Sequence, residues 1–506
     1  MKILFTTSLS GSDEPLGIMY LSTILKKMGH KVRGVFINRE NFSQVVEEFK
    51  PDLIGYSGMD CERVSLIKAN TEIKKKHKNI FSLIGGPIGT FSPDIIKDEH
   101  VDAVCQGEAE EAMPELVDAL ENGKDISGIK NFSVKVSGKI HVNKVRPVIK
   151  DINTIAFPDR EIFAHFKQPG GLYNVLEGRG CPYNCTYCHN KRYKEIFDLN
   201  AGYIQFRSID NICEELKEIK KTRNPSMFQF VGDHFFIKLK NLEELAEKYP
   251  KEVGIPFICV SRPEPLNNEE RIKLLAKAGC GKIFTGCEAG NDRIRKIILK
   301  RNIPKERMIR PADMMHAYGI KFSFQNMMGI PTSTFENDIE TLELNIRCKP
   351  WYAWASICTP YPDTELYKFA KEANILPKDY LDRIFETYHY KSLLNIPHKL
   401  EANILHKVFA LVVEYPELLP IVKSSRFYKD TSDERVDALQ KVFDTFKNYK
   451  QEKLCKPELK EPEIITQFVT NTLNEDFSYS SLQIAEVATK HHIPETSSVP
   501  NPSGSS

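Results

Sequence analysis

The stretch EGRGCPYNCTYCHNKRY, residues 177–193, places three cysteines on one short loop. Cys185, Cys188 and His189 alone have the spacing C-x-x-C-H of c-type haem attachment, but adding Cys181 gives C-x3-C-x2-C. Zinc would need a fourth cysteine or histidine nearby, and His189 follows Cys188 directly, which is a poor geometry for tetrahedral chelation. An iron–sulfur cluster that leaves one iron open for another ligand uses all three thiols. The spacing therefore favours a cluster over haem or zinc.

The amino-terminal sequence MKILFTTSLSGSDEP has one lysine and a very short apolar run, which is unlike a secretory signal peptide. No stretch approaches the roughly 18 to 20 apolar residues of a membrane span. We therefore expect a cytoplasmic protein, in which c-type haem is not attached and cysteines remain thiols or metal ligands. Nine further cysteines lack ligand spacing, and for most of them a buried structural thiol is the simplest interpretation. They are Cys61, Cys105, Cys213, Cys259, Cys280, Cys287, Cys348, Cys358 and Cys455.

Residues 177–193, which we call the cysteine loop, follow YNVLEG, the first strand of a βα series. Helical stretches separate the later strands, which are MFQFVGD, PFICVS, KIFTGCE, FSFQNMMG and AWASICTP. Six parallel strands predict a partial (β/α)6 barrel over residues 172–375. The cysteine loop then lies at the carboxyl ends of the strands, where barrel enzymes carry out their chemistry.

An earlier βα series occupies residues 1–145. Five apolar runs (KILFTTS, KVRGVFI, DLIGYSG, FSLIGGP and DAVCQG) alternate with amphipathic stretches, which predicts a doubly wound, Rossmann-like parallel sheet. Such a sheet binds ligands beyond the carboxyl ends of its strands, and here those ends are the glycine-containing GYSGM, GGPIGT and QGEAEE. Glycine lets the backbone approach a large flat ligand, although each segment alone is also explained as a tight turn. Residues 129–145 predict a hairpin.

Length and composition indicate an ordinary globular protein with more than one domain. The 506 residues are too many for a single core, 41% of them are hydrophobic, and the formal net charge is +2. This balance identifies no partner and does not favour a general nucleic-acid-binding protein. We predict a linker over residues 146–171, a helical carboxyl-terminal region over 376–490 and a Pro/Ser-rich disordered tail over 491–506.

Several further motifs resemble those of one family. GCEAGNDRIRKIILKRN is similar to the G-x-E-x-G segment, and CTPYPDTELY to the Pro-Tyr-Pro-x-Thr stretch, of radical S-adenosylmethionine (SAM) enzymes. PLGIMYLSTIL, GGPIGTFSP and VDAVCQGEAEEAMPEL resemble three stretches of the cobalamin-binding domain that some of these enzymes carry at the amino terminus. Over roughly residues 1–375, the chain therefore resembles the radical SAM enzymes with an N-terminal cobalamin-binding domain.

The resemblance implies three cofactors, a [4Fe–4S] cluster, SAM and cobalamin. The cluster ligands would be Cys181, Cys185 and Cys188. In the family, SAM binds the fourth iron, and its reductive cleavage gives a 5′-deoxyadenosyl radical that abstracts hydrogen from an unactivated carbon. An electron donor such as flavodoxin or ferredoxin is then also implied.

The same resemblance assigns residues to SAM. Tyr187 matches the aromatic position that packs on the adenine, with a plain core tyrosine as the alternative. Glu288 matches the acid of G-x-E-x-G and would accept hydrogen bonds from the ribose hydroxyls. Gly232 and Asp233 would lie near the methionine end, with a helix N-cap as the alternative role for Asp233.

For cobalamin, the resemblance indicates nine residues at the strand ends whose backbone would mostly face the corrin. They are Leu16, Gly17, Ser57, Gly58, Gly85, Gly86, Pro87, Gly107 and Glu108. The axial-histidine motif D-x-H-x-x-G of many cobalamin enzymes is absent, and the nearest match, DEHVDA, lacks the glycine. We expect His100 to be a surface histidine at a helix end. We assign no catalytic role to His189 or His234, for which the simpler interpretation is a supporting or solvent-exposed histidine.

Three functions remain open at this point. The leading one is cobalamin-dependent methylation of an unactivated carbon in a small-molecule, lipid or peptide substrate. The same architecture also supports oxidative cyclisation or ring rearrangement without methyl transfer. A function of a different class is a cobalamin or redox sensor, in which the cluster is structural or regulatory and the helical region binds a partner.

Overall fold

The computed structural model describes residues 1–8, 14–166, 170–236, 238–384 and 390–477. The predicted tail over 491–506, and the last part of the predicted helical region, lie outside the described residues. No helix in the described part of the chain has the length and apolar character needed to cross a membrane.

The first sheet has seven strands in the order 2-1-3-4-5-6-7. Strands one to five are parallel, and the predicted hairpin adds strands six and seven in antiparallel orientation at one edge. Its strands are β1 (Lys2–Thr7), β2 (Lys31–Phe36), β3 (Leu53–Ser57), β4 (Phe81–Gly85), β5 (Ala103–Cys105), β6 (Phe132–Val136) and β7 (Lys139–Val142). Its helices are α1 (Leu16–Lys27), α2 (Phe42–Phe49), α3 (Arg63–Lys76), α4 (Gly86–Phe91) and α5 (Ala112–Glu121).

The alternation of side chains along β1 explains why helices cover both faces of this sheet. Ile3 and Phe5 pack into one apolar cluster, whereas Leu4 between them packs into a second cluster on the opposite face. The sequence prediction of a doubly wound Rossmann-like sheet is therefore confirmed. The strand order reverses between β1 and β3, and ligands of such sheets bind at that switch point.

The second sheet has six parallel strands that follow chain order and are flanked by helices. This confirms the predicted partial barrel. Its strands are β8 (Leu172–Val175), β11 (Met227–Phe230), β12 (Phe257–Val260), β13 (Cys280–Glu288), β14 (Lys321–Met328) and β15 (Tyr352–Ile357), and a short ribbon of β9 (Gly178–Arg179) and β10 (Gln205–Phe206) follows β8. Its helices are α6 (Asn190–Ile196), α7 (Ile209–Arg223), α8 (Leu239–Glu252), α9 (Pro263–Leu266), α10 (Glu269–Ala278), α11 (Glu306–Ala317), α12 (Phe335–Cys348) and α13 (Glu365–Glu372).

The predicted helical region follows the barrel. Its helices are α14 (Tyr380–Arg383), α15 (Lys399–Glu414), α16 (Leu419–Lys423), α17 (Asp433–Cys455) and α18 (Glu463–Leu473). The apolar residues of α15 form one buried cluster with Ala353, Ala355 and Ile357 of β15, so this helix covers the last strand. At the other end of that strand, the Trp351 indole donates to the Lys450 carbonyl of α17 at 3.3 Å. The helical region thus covers both the outer strand and the beginning of the barrel.

An ion-pair network buried between the two sheets fixes their relative position. Arg160 donates to Glu14 of the first domain at 2.7 Å, to Glu215 of α7 at 2.8 Å and to the Asn174 carbonyl of β8 at 2.8 Å. Nearby, Phe163 packs into the core of the first domain. The segment predicted as a linker is therefore packed against both domains.

The predicted burial of the structural cysteines agrees with the structure. Cys61 is partly buried, and the side chain of Cys455 lies outside the described part of the chain. The other seven are buried: Cys105, Cys213, Cys259, Cys280, Cys287, Cys348 and Cys358.

Candidate functional site

A cavity of about 330 Å³, which we call the cofactor cavity, separates the carboxyl ends of the first sheet from the cysteine loop. Arg179, Gly180, Asn190, Tyr193 and Asp233 form its wall on the barrel side. Seven of the nine residues predicted for cobalamin form the opposite wall: Gly17, Ser57, Gly85, Gly86, Pro87, Gly107 and Glu108. The two predicted ligand-binding edges therefore face each other across one space.

The other two predicted cobalamin residues do not line this cavity. Leu16 packs against the apolar core of the first domain. Gly58 lies against α3, where an added Cβ would come within 2.7 Å of Leu66, and its carbonyl accepts a hydrogen bond from Ile88. Both residues pack against the interior of the first domain next to the strand ends.

The glycines lining the cavity leave space for a flat ligand. An added Cβ on Gly17 would meet nothing within 4 Å, and one on Gly85 would meet only Cys105 at 3.8 Å. Gly86 has a φ of +72°, and its Cβ would lie 2.6 Å from the Ser57 hydroxyl, so only glycine fits this turn. Because these glycines carry no side chain, the strand ends present bare backbone, and such a surface fits the flat corrin ring of cobalamin.

Glu108 makes contacts that sequence analysis missed. Its two carboxylate oxygens accept hydrogen bonds from Arg179 at 2.7 Å and from the Ile149 amide at 2.7 Å. Arg179 also pairs with Glu110. Burial alone would lower the pKa of the Arg179 guanidinium, but the two carboxylates together outweigh burial and raise it. Glu108 is therefore one half of an interdomain ion pair on the wall of the cavity, as well as a predicted cobalamin contact.

Nitrogen donors surround the thiols of the cysteine loop. Arg262 donates to the Cys185 sulfur at 2.8 Å, and the backbone and side-chain nitrogens of Asn190 lie 3.5 and 3.6 Å from the Cys188 sulfur. The Lys194 ammonium holds the loop by donating to the carbonyls of Cys181 at 2.9 Å and Tyr183 at 3.0 Å, and it also donates to the Ala201 carbonyl at 3.1 Å. Hydrogen bonds to sulfur tune iron–sulfur clusters, so this donor set fits one.

Burial makes the free thiols poor anions. It raises the pKa of Cys188 to about 12 and also raises the pKa of Cys181. A cationic centre bound to the thiolates would reverse this shift. Among the described residues, no three His, Cys, Asp or Glu side chains converge on a site for a single metal ion.

The residues predicted to bind the SAM nucleoside form one buried cluster. The Tyr187 hydroxyl donates to Oε1 of Glu288 at 3.0 Å, and Arg301 donates to the Tyr187 oxygen at 2.9 Å and to the Gly286 carbonyl at 2.6 Å. Glu288 has a φ of +63° at a register shift of β13, a conformation that non-glycine residues rarely adopt outside functional sites. Arg301 is a contact that sequence analysis missed.

Tyr187 also packs against an apolar cluster that includes Leu299 and Cys358. Burial raises the pKa of its hydroxyl well above the ordinary range, so the hydroxyl remains a hydrogen-bond donor. The ring thus has the surroundings of a core tyrosine, and its contact with adenine stays a prediction.

Gly232 and Asp233 lie at the carboxyl end of β11, as predicted. The Gly232 amide donates to Glu177 at 2.9 Å, and Asp233 accepts from the Gly180 amide and the Asn190 side chain, both at 3.0 Å. The alternative role of Asp233 as a helix N-cap is wrong, because the next helix of the described chain begins at Leu239. Asp233 instead connects the strand end to the cysteine loop and faces the cofactor cavity.

The three histidines considered from the sequence do not line the cofactor cavity. His100 follows a short 3-10 turn, and its side chain lies beside Glu99. His189 stacks on Phe91 of the first domain with ring centroids 4.3 Å apart. Burial lowers the pKa of His234 to about 4, so its imidazole is neutral at physiological pH.

Comparisons with known proteins agree with this geometry. Two family models match the chain, the Radical SAM superfamily over residues 176–344 and the B12 binding domain over residues 4–117. The first domain type implies a [4Fe–4S] cluster and SAM, and the second implies cobalamin. These are the three cofactors expected from the sequence.

Two curated proteins are similar to this chain over most of its length. An uncharacterized methyltransferase of Pyrococcus horikoshii is 27% identical over 72% of this chain and 79% of its own length. The anaerobic magnesium-protoporphyrin IX monomethyl ester cyclase of Rubrivivax gelatinosus is 22% identical over 71% of this chain and 67% of its own length.

The radical SAM methyltransferase TsrM from Kitasatospora setae has a similar fold, with a TM-score of 0.60, 16% identity and coverage of 74% of this chain and 76% of its own. The cobalamin-dependent radical SAM enzyme OxsB also has a similar fold, with a TM-score of 0.58, 16% identity and coverage of 94% of this chain and 75% of its own. At these identities, the likeness concerns the fold.

Proposed function

Since this chain is a radical SAM protein with an amino-terminal B12-binding domain, we propose that it is a cobalamin-dependent methyltransferase that methylates an unactivated carbon. The observation that carries the proposal is the cofactor cavity, because the glycine-rich strand ends of one domain and the loop next to the cluster cysteines of the other line the same space. Methyl transfer through a radical needs both cofactors beside one substrate. Closure of that space also protects reactive species from water.

Bound cofactors would supply the difficult chemistry here, a 5′-deoxyadenosyl radical from SAM on the cluster and a methyl group from methylcobalamin. The protein's own groups would bind and orient them. Cys181, Cys185 and Cys188 would hold the cluster, with the Arg262 guanidinium donating to one sulfur. Glu288 would accept from the SAM ribose, and Asp233 would receive the amine of its methionine end.

The partners follow from the same chemistry. Radical SAM enzymes need a reductant, and we infer that a small one-electron carrier such as flavodoxin or ferredoxin supplies the electron. The substrate would be a small molecule, a lipid or a peptide that fits between the two domains. We also propose that the first domain ends at residue 145, the linker at residue 171 and the barrel at residue 375.

Cyclisation or rearrangement is the second candidate. The cyclase relative from Rubrivivax gelatinosus supports it, because that protein aligns over 71% of this chain. A cyclase of this architecture would need hydrogen abstraction without methyl supply, so the two functions differ in what becomes of the SAM methyl group.

The deciding experiment uses the full chain, reconstituted anaerobically with iron, sulfide and hydroxocobalamin, then given SAM with a deuterated methyl group and titanium(III) citrate. Methyl transfer predicts S-adenosylhomocysteine and trideuteromethyl-cobalamin, together with separate formation of 5′-deoxyadenosine. Once a substrate is known, the two nucleoside products should form in equal amounts with a methylated product.

The other outcomes each favour a different function. Deoxyadenosine without S-adenosylhomocysteine would reject methyl transfer and favour the cyclase. The absence of both products from a protein that holds its cluster and cobalamin would favour the sensor. Replacing all three cluster cysteines with alanine is the control, and this variant should form no deoxyadenosine.

A further inference from the structure

A second cavity lies at the opposite end of the barrel, where its strands begin, and we call it the amino-end cavity. It has a volume of about 420 Å³ and is bordered by α17 through Lys450, Gln451 and Leu454. Much of its wall is apolar and aromatic. Phe284, Tyr352 and Trp354 are its aromatic residues.

Lys282 is a buried cation on the wall of this cavity. The residue is 6% exposed, and its ammonium lies 4.7 Å from the centre of the Phe284 ring. This ammonium makes no hydrogen bond or ion pair with any residue in the described ranges, whereas the Lys282 carbonyl accepts from the Cys280 thiol at 3.5 Å. A buried charge without a partner is costly, so this amine is a group that a ligand would satisfy.

The charges around Lys282 are also positive. Burial lowers the pKa of Lys282 to about 8, and the nearby charges of Lys450 on α17 and Lys321 on β14 contribute to this lowering. Lys450 is paired with Glu414 at 3.0 Å, so that carboxylate is already engaged. The electrostatic environment therefore favours an anion.

We propose that the amino-end cavity binds a small apolar carboxylate, with its carboxylate on the Lys282 amine and its hydrocarbon body against Phe284, Tyr352 and Trp354. The cavity volume is within the roughly 300 to 1,000 Å³ of small-molecule sites. The side-chain amides of Gln229 and Gln325 line the same cavity and offer N–H donors for the second carboxylate oxygen.

This site is separate from the cofactor cavity. Lys282 and Glu288 lie six residues apart on β13, which is about 20 Å at roughly 3.3 Å per residue. The two cavities share no lining residue. The proposal therefore stands independently of methyl transfer.

The two tryptophans of the chain provide the measurement, because Trp354 lines the cavity and Trp351 lies against Lys321 and Lys450. We would titrate the full chain with decanoate, and with decanol as its uncharged counterpart, and follow tryptophan fluorescence. Decanoate should give a saturable change and bind at least about tenfold more tightly than decanol, as a charged hydrogen bond requires.

Variants then test the role of the amine. Lys282→Met should lose the preference for decanoate, and Lys282→Arg should keep it. Lys447→Met is the matched control, since the Lys447 ammonium lies 5.2 Å from the Trp354 ring without lining the cavity, and its binding should match the wild type.

Three results would overturn the proposal: no saturable response to decanoate, equal affinity for decanol, or undiminished decanoate binding by a folded Lys282→Met protein. Circular dichroism and the melting temperature report whether that variant folds. If it does not, the decanoate-to-decanol ratio of the wild type and of Lys282→Arg decides.

Discussion

Replacing Glu288 with glutamine tests the assignment of this carboxylate to SAM. Oε1 is already engaged, because the Tyr187 hydroxyl donates to it at 3.0 Å and Arg301 lies 3.3 Å away. Oε2 makes no hydrogen bond with the described residues, which leaves it for one ribose hydroxyl. A hydrogen bond to a charged group contributes about 1.5 to 3 kcal/mol, and a neutral acceptor retains roughly half of that. The loss is therefore about 0.8 to 1.5 kcal/mol, which corresponds to roughly a fourfold to twelvefold loss of SAM affinity.

Equilibrium dialysis with radiolabelled SAM on anaerobically reconstituted protein measures this loss, with the iron content determined in parallel. Glu269→Gln is the matched control, because Glu269 also accepts from a tyrosine hydroxyl, that of Tyr318 at 2.7 Å, but lies on the outer helix α10. Its SAM affinity should equal that of the wild type. A Glu288→Gln protein with a full cluster and a SAM affinity within twofold of the wild type would refute the reasoning and leave Glu288 as support for Tyr187 and Arg301.

Other perturbations test the remaining assignments. Changing the three cluster cysteines to alanine should remove about four iron and four sulfide per chain, and stoichiometric zinc in the reconstituted wild type would contradict the cluster. Burial raises the pKa of Glu177 from 4.5 to about 7, so the folded state binds this proton more tightly and stability should fall by about 3 kcal/mol as pH rises between those values. Urea unfolding at several pH values should show that the free energy of unfolding falls less steeply with pH in Glu177→Gln than in the wild type. An equally steep fall in both proteins would exclude the effect. Arg179→Met should cost about 3 kcal/mol by leaving two glutamates unpaired, whereas the exposed pair of Arg347 with Asp313 makes Arg347→Met a control below about 1 kcal/mol. His100→Ala should leave the cobalt absorption spectrum unchanged, since this side chain does not line the cofactor cavity.

The fold was predictable because local patterns determine it. Each parallel strand of the two sheets is a short, mostly apolar run next to amphipathic helices, and the hairpin around Gly138 has a turn with positive φ, as its sequence indicates. The cysteine spacing and the glycines at the strand ends are equally local signals. Together they locate both ligand-binding edges without knowledge of any distant contact.

The electrostatic partners of the site were not predictable in the same way. Arg179 meets Glu108 across 71 positions of the chain, and Arg262 meets Cys185 across 77. A single arginine carries no periodicity or spacing that identifies its partner, so the Arg262 pair appears only once the barrel is folded and the Arg179 pair only once the two domains are packed together. The predicted cobalamin residues Leu16 and Gly58 failed to line the cavity for a related reason, since sequence marks a strand end but not which of its residues face outward.

The position of Arg179 links the maturation of the two cofactor sites. Arg179 lies two residues before Cys181, and its guanidinium reaches across to the first domain, so the backbone that would position the first cluster thiol also forms one side of the cofactor cavity. A cluster bound to Cys181 would hold this segment in place and, with it, the interdomain ion pair. We therefore expect iron–sulfur assembly to precede stable cobalamin uptake, so that the amount of cobalamin retained by the protein would report how much of it has matured.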